Sequence, residues 1–523
     1  MKKDIGNVQL TNPESTMKIM YKIVLIFILA ILLQNCRKDT SEPSPAAKYF
    51  SDYDFEEPAV SGSTFYIDPE NGSPEGDGSR QHPWKTLQAV IDSNLIEYYK
   101  HAETNNDASE LVAVNAGAPV KGGDKLVLLS GYHGFVNLSN FIFKDWLTIA
   151  GEKGATPVLS RFSINGAFKN IYLKNFSIIK DSYVGAEDYW VADDINHNSN
   201  ACLYLASNSF RGSGSDIKIN CLTVKTTNDA SSWTAADWVD KAASGISLRS
   251  VEHAEVVNCD VENIRHGILF EYFSDNGAAV NNVVKNFSGD GSRIISNNIL
   301  FAYNTITGCL KVDDNHDDGI QSYSRGADNS PGTGVLYNVT IRGNIIIGIN
   351  NKNNPLSASP QGIGCFDGFF DNWVVENNII ISNTYHGISF YGMRNGRILN
   401  NTVIDQVPGD DVSPWIMVTD HKNGTKSENC IVANNIASAS VSASGNNVTA
   451  GNNYVFGKNN YDSIYFAFTD PDNNDLHLLV NDFTKRNIID KGIRLEGFVS
   501  AGMDRGLSER DNVPDLGAYE AQE

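Results

Sequence analysis

The chain has 523 residues, a formal net charge of −21 at pH 7, and 44 glycines against 16 prolines. Such a balance lacks the basic footprint with which a protein neutralises phosphates, which sets nucleic-acid binding aside. At about 150 residues per domain the length would suggest three domains, but the repetition described below builds one core that lengthens coil by coil, so one main domain is expected.

The first sixteen residues are polar and read as sequence upstream of the true start. Residues 17–36, MKIMYKIVLIFILAILLQNC, carry Lys18 and Lys22, eleven apolar residues from Ile23 to Leu33, and Cys36. Eleven are too few to span a bilayer and suit a signal-peptide core. The run resembles a bacterial lipoprotein signal, in which Cys36 is lipidated after cleavage. That resemblance implies a cell-envelope protein, periplasmic or surface-exposed, held in the outer membrane by its lipid anchor alone. Residues 37–62 are then a flexible tether.

Next comes FYIDPENGSPEGDGSRQHPWKTLQAVI (65–91), which reads as a strand, a Gly-rich loop and an amphipathic helix beginning near Thr86. From Ala201 to about Ala450 one pattern then repeats. IKINCLTV (217–224), AEVVNCDV (254–261), RIISNNIL (293–300), VTIRGNIII (339–347), WVVENNIII (373–381), GRILNNTVI (396–404) and CIVANNIA (430–437) alternate up to an Asn and resume alternating, as strand, bend and strand. Between them recurs Gly-Ile with an apolar residue two further on: SGISL (244–248), HGILF (266–270), DGIQS (318–322), QGIGC (361–365) and HGISF (386–390).

Two strand types taking turns without a helical period describe an all-β chain, a right-handed parallel β-helix with a short N-terminal capping helix. The cap and first coils are expected over 63–150, the β-helix over 151–460, and the last coils with a C-terminal cap over 461–523. Stacked coils repeat at about 4.8 Å. Asn tolerates the left-handed bend and can bond to its neighbours above and below, so the Asn column reads as structural. The 65–91 segment and VPDLGAYE (513–520) resemble the opening and the ending of secreted β-helix proteins, many of them lipoproteins of glycan-degrading bacteria. No CxxC pair supports a zinc site. Cys221 and Cys259 both follow an Asn; an oxidising compartment would permit a bridge between them, while free Cys also packs as a core residue.

Chemistry is expected where residues appear that a solenoid does not need. In KVDDNHDDGIQSYSRG (311–326), Asp313, Asp314, Asp317 and Asp318 surround His316. Such crowded carboxylates make either a solvated acidic turn or a site for Ca²⁺, which takes hard oxygen ligands. The stretch is similar to the Asp-Asp-Gly motif by which family 9 pectate lyases hold calcium, with Asp317 and Asp318 at the matching positions and Gln321 where that family has Asp. The family's Lys base has no counterpart here.

Aligning the Gly-Ile units places Ser244, His266, Asp318, Gln361 and His386 in one column and Arg249, Glu271, Tyr323, Phe366 and Tyr391 in an outward column beside it. An extra coil between His266 and Asp318 would displace His266. Exposed aromatic residues beside acids and imidazoles suit a sugar-binding groove. Loops 181–200 and 226–244 could wall it, with Trp190, Trp233 and Trp238 either stacking on sugars or anchoring the loops. The expected function is a metal-assisted lyase that cleaves an acidic, uronate-containing polysaccharide by β-elimination. The four Asp residues would hold calcium, His266 or His386 would be the base, and Arg325 would help bind the carboxylate. Net charge repels such a polymer at long range, but screening limits this to about 8 Å, and Arg249, Arg325 and Arg394 could reverse the sign locally. Two alternatives stand beside it: a glycoside hydrolase using Asp318 and Glu271, and a non-catalytic glycan-binding lipoprotein. In every case a monomer with a polysaccharide partner is expected.

Overall fold

The repeats become the rungs of a right-handed parallel β-helix in the computed structural model, which describes residues 53–103, 106, 108–183, 200–207, 214–407, 411–457 and 461–522. Cys36, the signal and most of the tether, and Trp190 lie outside those residues. Residues 57–523 form one compact unit. Among the described residues no helix is long and apolar enough to cross a membrane.

The Gly-Ile units form one face. Its strands are β1 (Ala201–Ala206), β2 (Ser244–Arg249), β3 (Ile268–Glu271), β4 (Ser292–Ile294), β5 (Asp318–Tyr323), β6 (Gln361–Asp367), β7 (His386–Tyr391), β8 (Trp415–Thr419) and β9 (Val441–Ala443), each parallel to the next. The Ile of each unit stacks on its equivalent, as in Ile246 on Ile268 and Ile363 on Ile388. All of them are fully buried, in a core that runs the length of the coil. The Asn-bearing segments supply the other faces, including a continuous sheet of twelve strands.

Sequence reading assigned the Asn residues to a single column, whereas the structure has two adjacent ones with different work. The first Asn of each Asn-Asn pair, such as Asn377, Asn400 and Asn434, adopts φ of 52–59° and makes the bend. The second points inward. Asn282, Asn304, Asn344, Asn378, Asn401, Asn435 and Asn453 form a ladder in which each Nδ2 donates to the next Oδ1 at 2.9–3.0 Å. Each Nδ2 also donates to a main-chain carbonyl, for example Asn378 to Ile341 and Asn401 to Val375. Each Oδ1 from Asn304 onward also accepts the main-chain N–H of the preceding Asn.

These two columns correct the placement of the cysteines. Asn220 pairs with Val257, so Cys221, at φ 54°, stands in the bend column beside Asn258, while Cys259 lies at the end of the inner ladder, its N–H donating to Asn282. The two are therefore one position out of register. None of the six cysteines among the described residues is in a disulfide.

At the N-terminal end helix α1 (Leu87–Asp92) is capped by Thr86, whose hydroxyl accepts the Ala89 N–H, and it buries Leu87 and Val90 over the first coils. Trp233 and Trp238 meet edge to face at 5.0 Å beside Leu310, so they anchor their loop to the scaffold. The C-terminal segment does not continue the coils. It lies along the twelve-stranded sheet, packing Leu516, Ala518 and Tyr519 with Ile379, Ile404 and Ile436. Arg510, fully buried, donates to Glu520 at 2.7 Å and to the Asn377 side chain at 3.2 Å.

Replacing Asn378 with Leu strands the Ile341 carbonyl and the amide donors of Asn344 inside the core. The variant is expected to lose about 2–5 kcal/mol of stability, read from urea unfolding.

Candidate functional site

The outer side of β2–β8 carries the residues singled out in the sequence, but not in the expected alignment. A whole rung, β4, separates His266 from Asp318. Its Gly291 packs between Gly267 and Gly319, so the residue before it, Asp290, joins the column Ser244, His266, Asp290, Asp318, Gln361, His386. The Gly-Ile pattern missed this rung because Ser292 replaces the Ile, its hydroxyl donating to the Ile268 carbonyl at 2.7 Å. The Asp-Gly pair followed by Ile294 was the available signal. A second departure is a bulge in β6: Tyr323 pairs with Asp367, and Phe366 is the additional residue.

Asp318 is the centre of the site. It is 1% exposed, and burial together with the nearby Asp290 and Asp317 carboxylates raises its pKa well above the ordinary value, against the hydrogen bond from Gln321. Gln321 Nε2 donates to Asp318 Oδ2 at 3.0 Å, while Oδ1 is buried without a hydrogen-bond partner. Gly364 makes room for it, since a Cβ there would stand 2.2 Å from Asp318 Oδ1 and 2.6 Å from the Phe366 ring. Burial likewise raises Asp317 to about 6, with Asn315 and Lys311 opposing.

Asp290 accepts two bonds from Arg293, at 2.9 Å from Nε and 2.6 Å from Nη2, and its own Oδ1 accepts the Asp318 N–H at 3.1 Å. Arg293 Nη1 also lies 3.9 Å from Glu271, which is fully buried. Neither Asp290 nor Arg293 was singled out in the sequence.

His266 does not fit the part of a base. It is buried, its Nδ1 accepts the Asp290 N–H at 2.9 Å, and burial with Arg293 and Arg265 pushes its pKa well down. It positions the turn that carries Asp290. His386 is half-buried, with Nδ1 2.9 Å from Ser389 Oγ, which also accepts the Trp415 indole N–H at 3.1 Å. Burial and the neighbouring His316 lower its pKa, so the ring is neutral at pH 7. Phe366 packs edge-on against it at 4.8 Å and against Tyr391 at 5.6 Å.

The four aspartates expected to hold calcium do not converge. Asp313 turns to Arg265 at 2.6 Å, Asp314 is exposed, and only Asp317 and Asp318 join the buried centre. Among the described residues no three His, Cys, Asp or Glu side chains are grouped to hold a metal ion. Asp290, the remaining carboxylate at the centre, is already paired with a guanidinium. The expected set of four does not gather around one point.

Arg249, Tyr272, Tyr323 and Arg325 form a second cluster at the far end of the strands. Arg325 Nε donates to the Tyr272 hydroxyl at 3.0 Å, and Arg249 stacks on the Tyr272 ring at 5.0 Å. Burial and the 3.1 Å contact with Tyr272 raise Tyr323 to about 12. Five residues of strand separate Asp318 from Tyr323, roughly 16 Å at the backbone. Glu271 stands at the same far end and two rungs away from Asp318, about 19 Å at the backbone.

No family model matches the chain, and no curated protein matches it. Among solved structures it is similar to pectate lyase Pel9A at 16% identity and TM-score 0.43, over 89% of this chain and 98% of that one. A rhamnogalacturonan lyase shows 13% identity and TM-score 0.40 over 75% and 87%. The mannuronan C-5 epimerase AlgE4 A-module of Azotobacter vinelandii shows 13% and 0.37 over 63% and 84%.

Asp317 gives the site a pH signature. With its value raised from 3.8 to about 6, the folded protein holds this proton more tightly than the unfolded chain. That stabilisation is full below the ordinary carboxylate value and is lost as pH rises through about 6. Asp317→Asn is expected to flatten this fall, on the order of 2 kcal/mol, in urea midpoints followed across the range.

Proposed function

We propose that the chain is a polysaccharide-processing enzyme that cleaves a uronate-containing glycan by β-elimination along the outer face of β2–β8. One observation carries the reading: Asp318, a buried carboxyl whose pKa is raised well above the ordinary value, shares a column with His386, whose imidazole pKa burial lowers, two rungs or about 9.6 Å away at the backbone. An acid and a base whose environments drive them into opposite roles mark proton-transfer chemistry.

In this reading His386, its Nδ1–H donating to Ser389, accepts the C5 proton of the uronate at Nε2. The electron pair of that C–H bond becomes the C4=C5 double bond, the C4–O bond breaks, and Asp318 delivers its proton to the departing glycosidic oxygen. Phe366 and Tyr391 flank the reacting sugar, and the Arg249–Tyr272–Arg325 cluster holds a carboxylate of the chain a few units away. Anchored through Cys36, a monomer would work in this way at the outer membrane. Calcium, the cofactor that the acidic turn suggested, has no step in this scheme.

The test is a panel of acidic polysaccharides followed by the ultraviolet absorbance of unsaturated uronates. Absorbance should rise on one polymer, and Asp318→Asn and His386→Ala should each lower kcat by about a hundredfold or more with oligosaccharide binding retained. New reducing ends without absorbance would turn the reading to hydrolysis. Binding without any product would turn it to glycan capture.

A further inference from the structure

The carboxyl-rich centre already contains a cation, and it belongs to the protein. Arg293 makes two hydrogen bonds to Asp290, lies 3.9 Å from Glu271 and is the cationic neighbour of Asp318. It therefore stands among three carboxyl groups of three successive rungs. The side chain is 15% exposed, and its Nη1 comes no closer than 3.9 Å to Glu271, which leaves that nitrogen's N–H groups for a ligand. Gln321, which donates to Asp318, is its partner on the next rung.

We propose that Arg293 takes the place a divalent cation would fill: its guanidinium neutralises the acidic centre and binds the carboxylate of the uronate held beside Asp318, without calcium. This rests on the substrate class proposed above, and it adds the group that recognises that substrate and the independence from metal. The physical reason is charge and geometry together. A guanidinium fixed by Asp290 offers planar donors that suit a carboxylate, and its fixed charge opposes entry of a second cation into the same space.

The experiment is calorimetric titration of the purified protein with calcium chloride alone, followed by galacturonate, mannuronate and guluronate oligosaccharides in excess EDTA and in excess calcium. The native protein should take up no calcium at this centre, and the oligosaccharide that binds should do so equally, within about threefold, in both buffers. Arg293→Gln should weaken that binding at least about tenfold, with Arg293→Lys recovering part of it. Arg293→Gln should also acquire calcium binding, because Asp290 loses the guanidinium that pairs with it. Calcium uptake by the native protein that Asp290→Asn abolishes, or oligosaccharide binding that EDTA removes, would overturn the inference. If none of the oligosaccharides binds, the substrate reading fails, while the calcium titration of the native protein still decides whether Arg293 excludes the metal. Should Arg293→Gln not fold, the native titration decides alone.

Discussion

The buried amide-to-amide ladder from Asn282 to Asn453 is the constraint on which the rest of this molecule depends. A carboxamide has two donors and an acceptor with two lone pairs. At the rung spacing it can satisfy its neighbour, a carbonyl across the bend and a main-chain N–H at once. Apolar stacking alone tolerates sliding, because one buried Ile meets another almost as well as the next. A slip of one position along the ladder would bury unpaired amides, each costing about 1–3 kcal/mol. The ladder therefore holds every rung in register, including those bearing the acidic centre.

What the ladder does not restrain is the length of chain between its members. Asn282 and Asn304 are 22 residues apart, whereas Asn304 and Asn344 are 40 apart. The surplus in the longer step is carried outside the core and contains the acidic turn 311–318. The β6 bulge, which adds Phe366, belongs to the same freedom. Rigid register on one side and loose length on another allow Asp318, Phe366 and His386 to be gathered beside one column.

The site is electrostatically unusual for so acidic a chain. Asp290, Glu271 and Asp318 are buried, and Arg293 offsets part of their charge while burial raises the pKa of Asp318. Removing charged groups from water is costly unless they are paired. The pairing of Asp290 with Arg293 and the raised pKa of Asp318 are two answers to that one cost.

The sequence by itself determined the fold, because Ile-stacking and Asn bends repeat locally and each rung needs only its neighbours. It also marked Asp317, Asp318, His386, Tyr323, Phe366 and Tyr391 as residues of one face. Tertiary structure decided the register. It inserted the β4 rung, brought Asp290 and Arg293 into the centre, turned Asp313 to Arg265, buried His266 behind Asp290, and separated Arg325 and Glu271 from Asp318. It also laid the C-terminal segment along the flank instead of over the last coil. The reason is that rung length varies with loops that carry no periodic signal, so which side chains become neighbours across rungs is set only when the coil closes and its ladder comes into register.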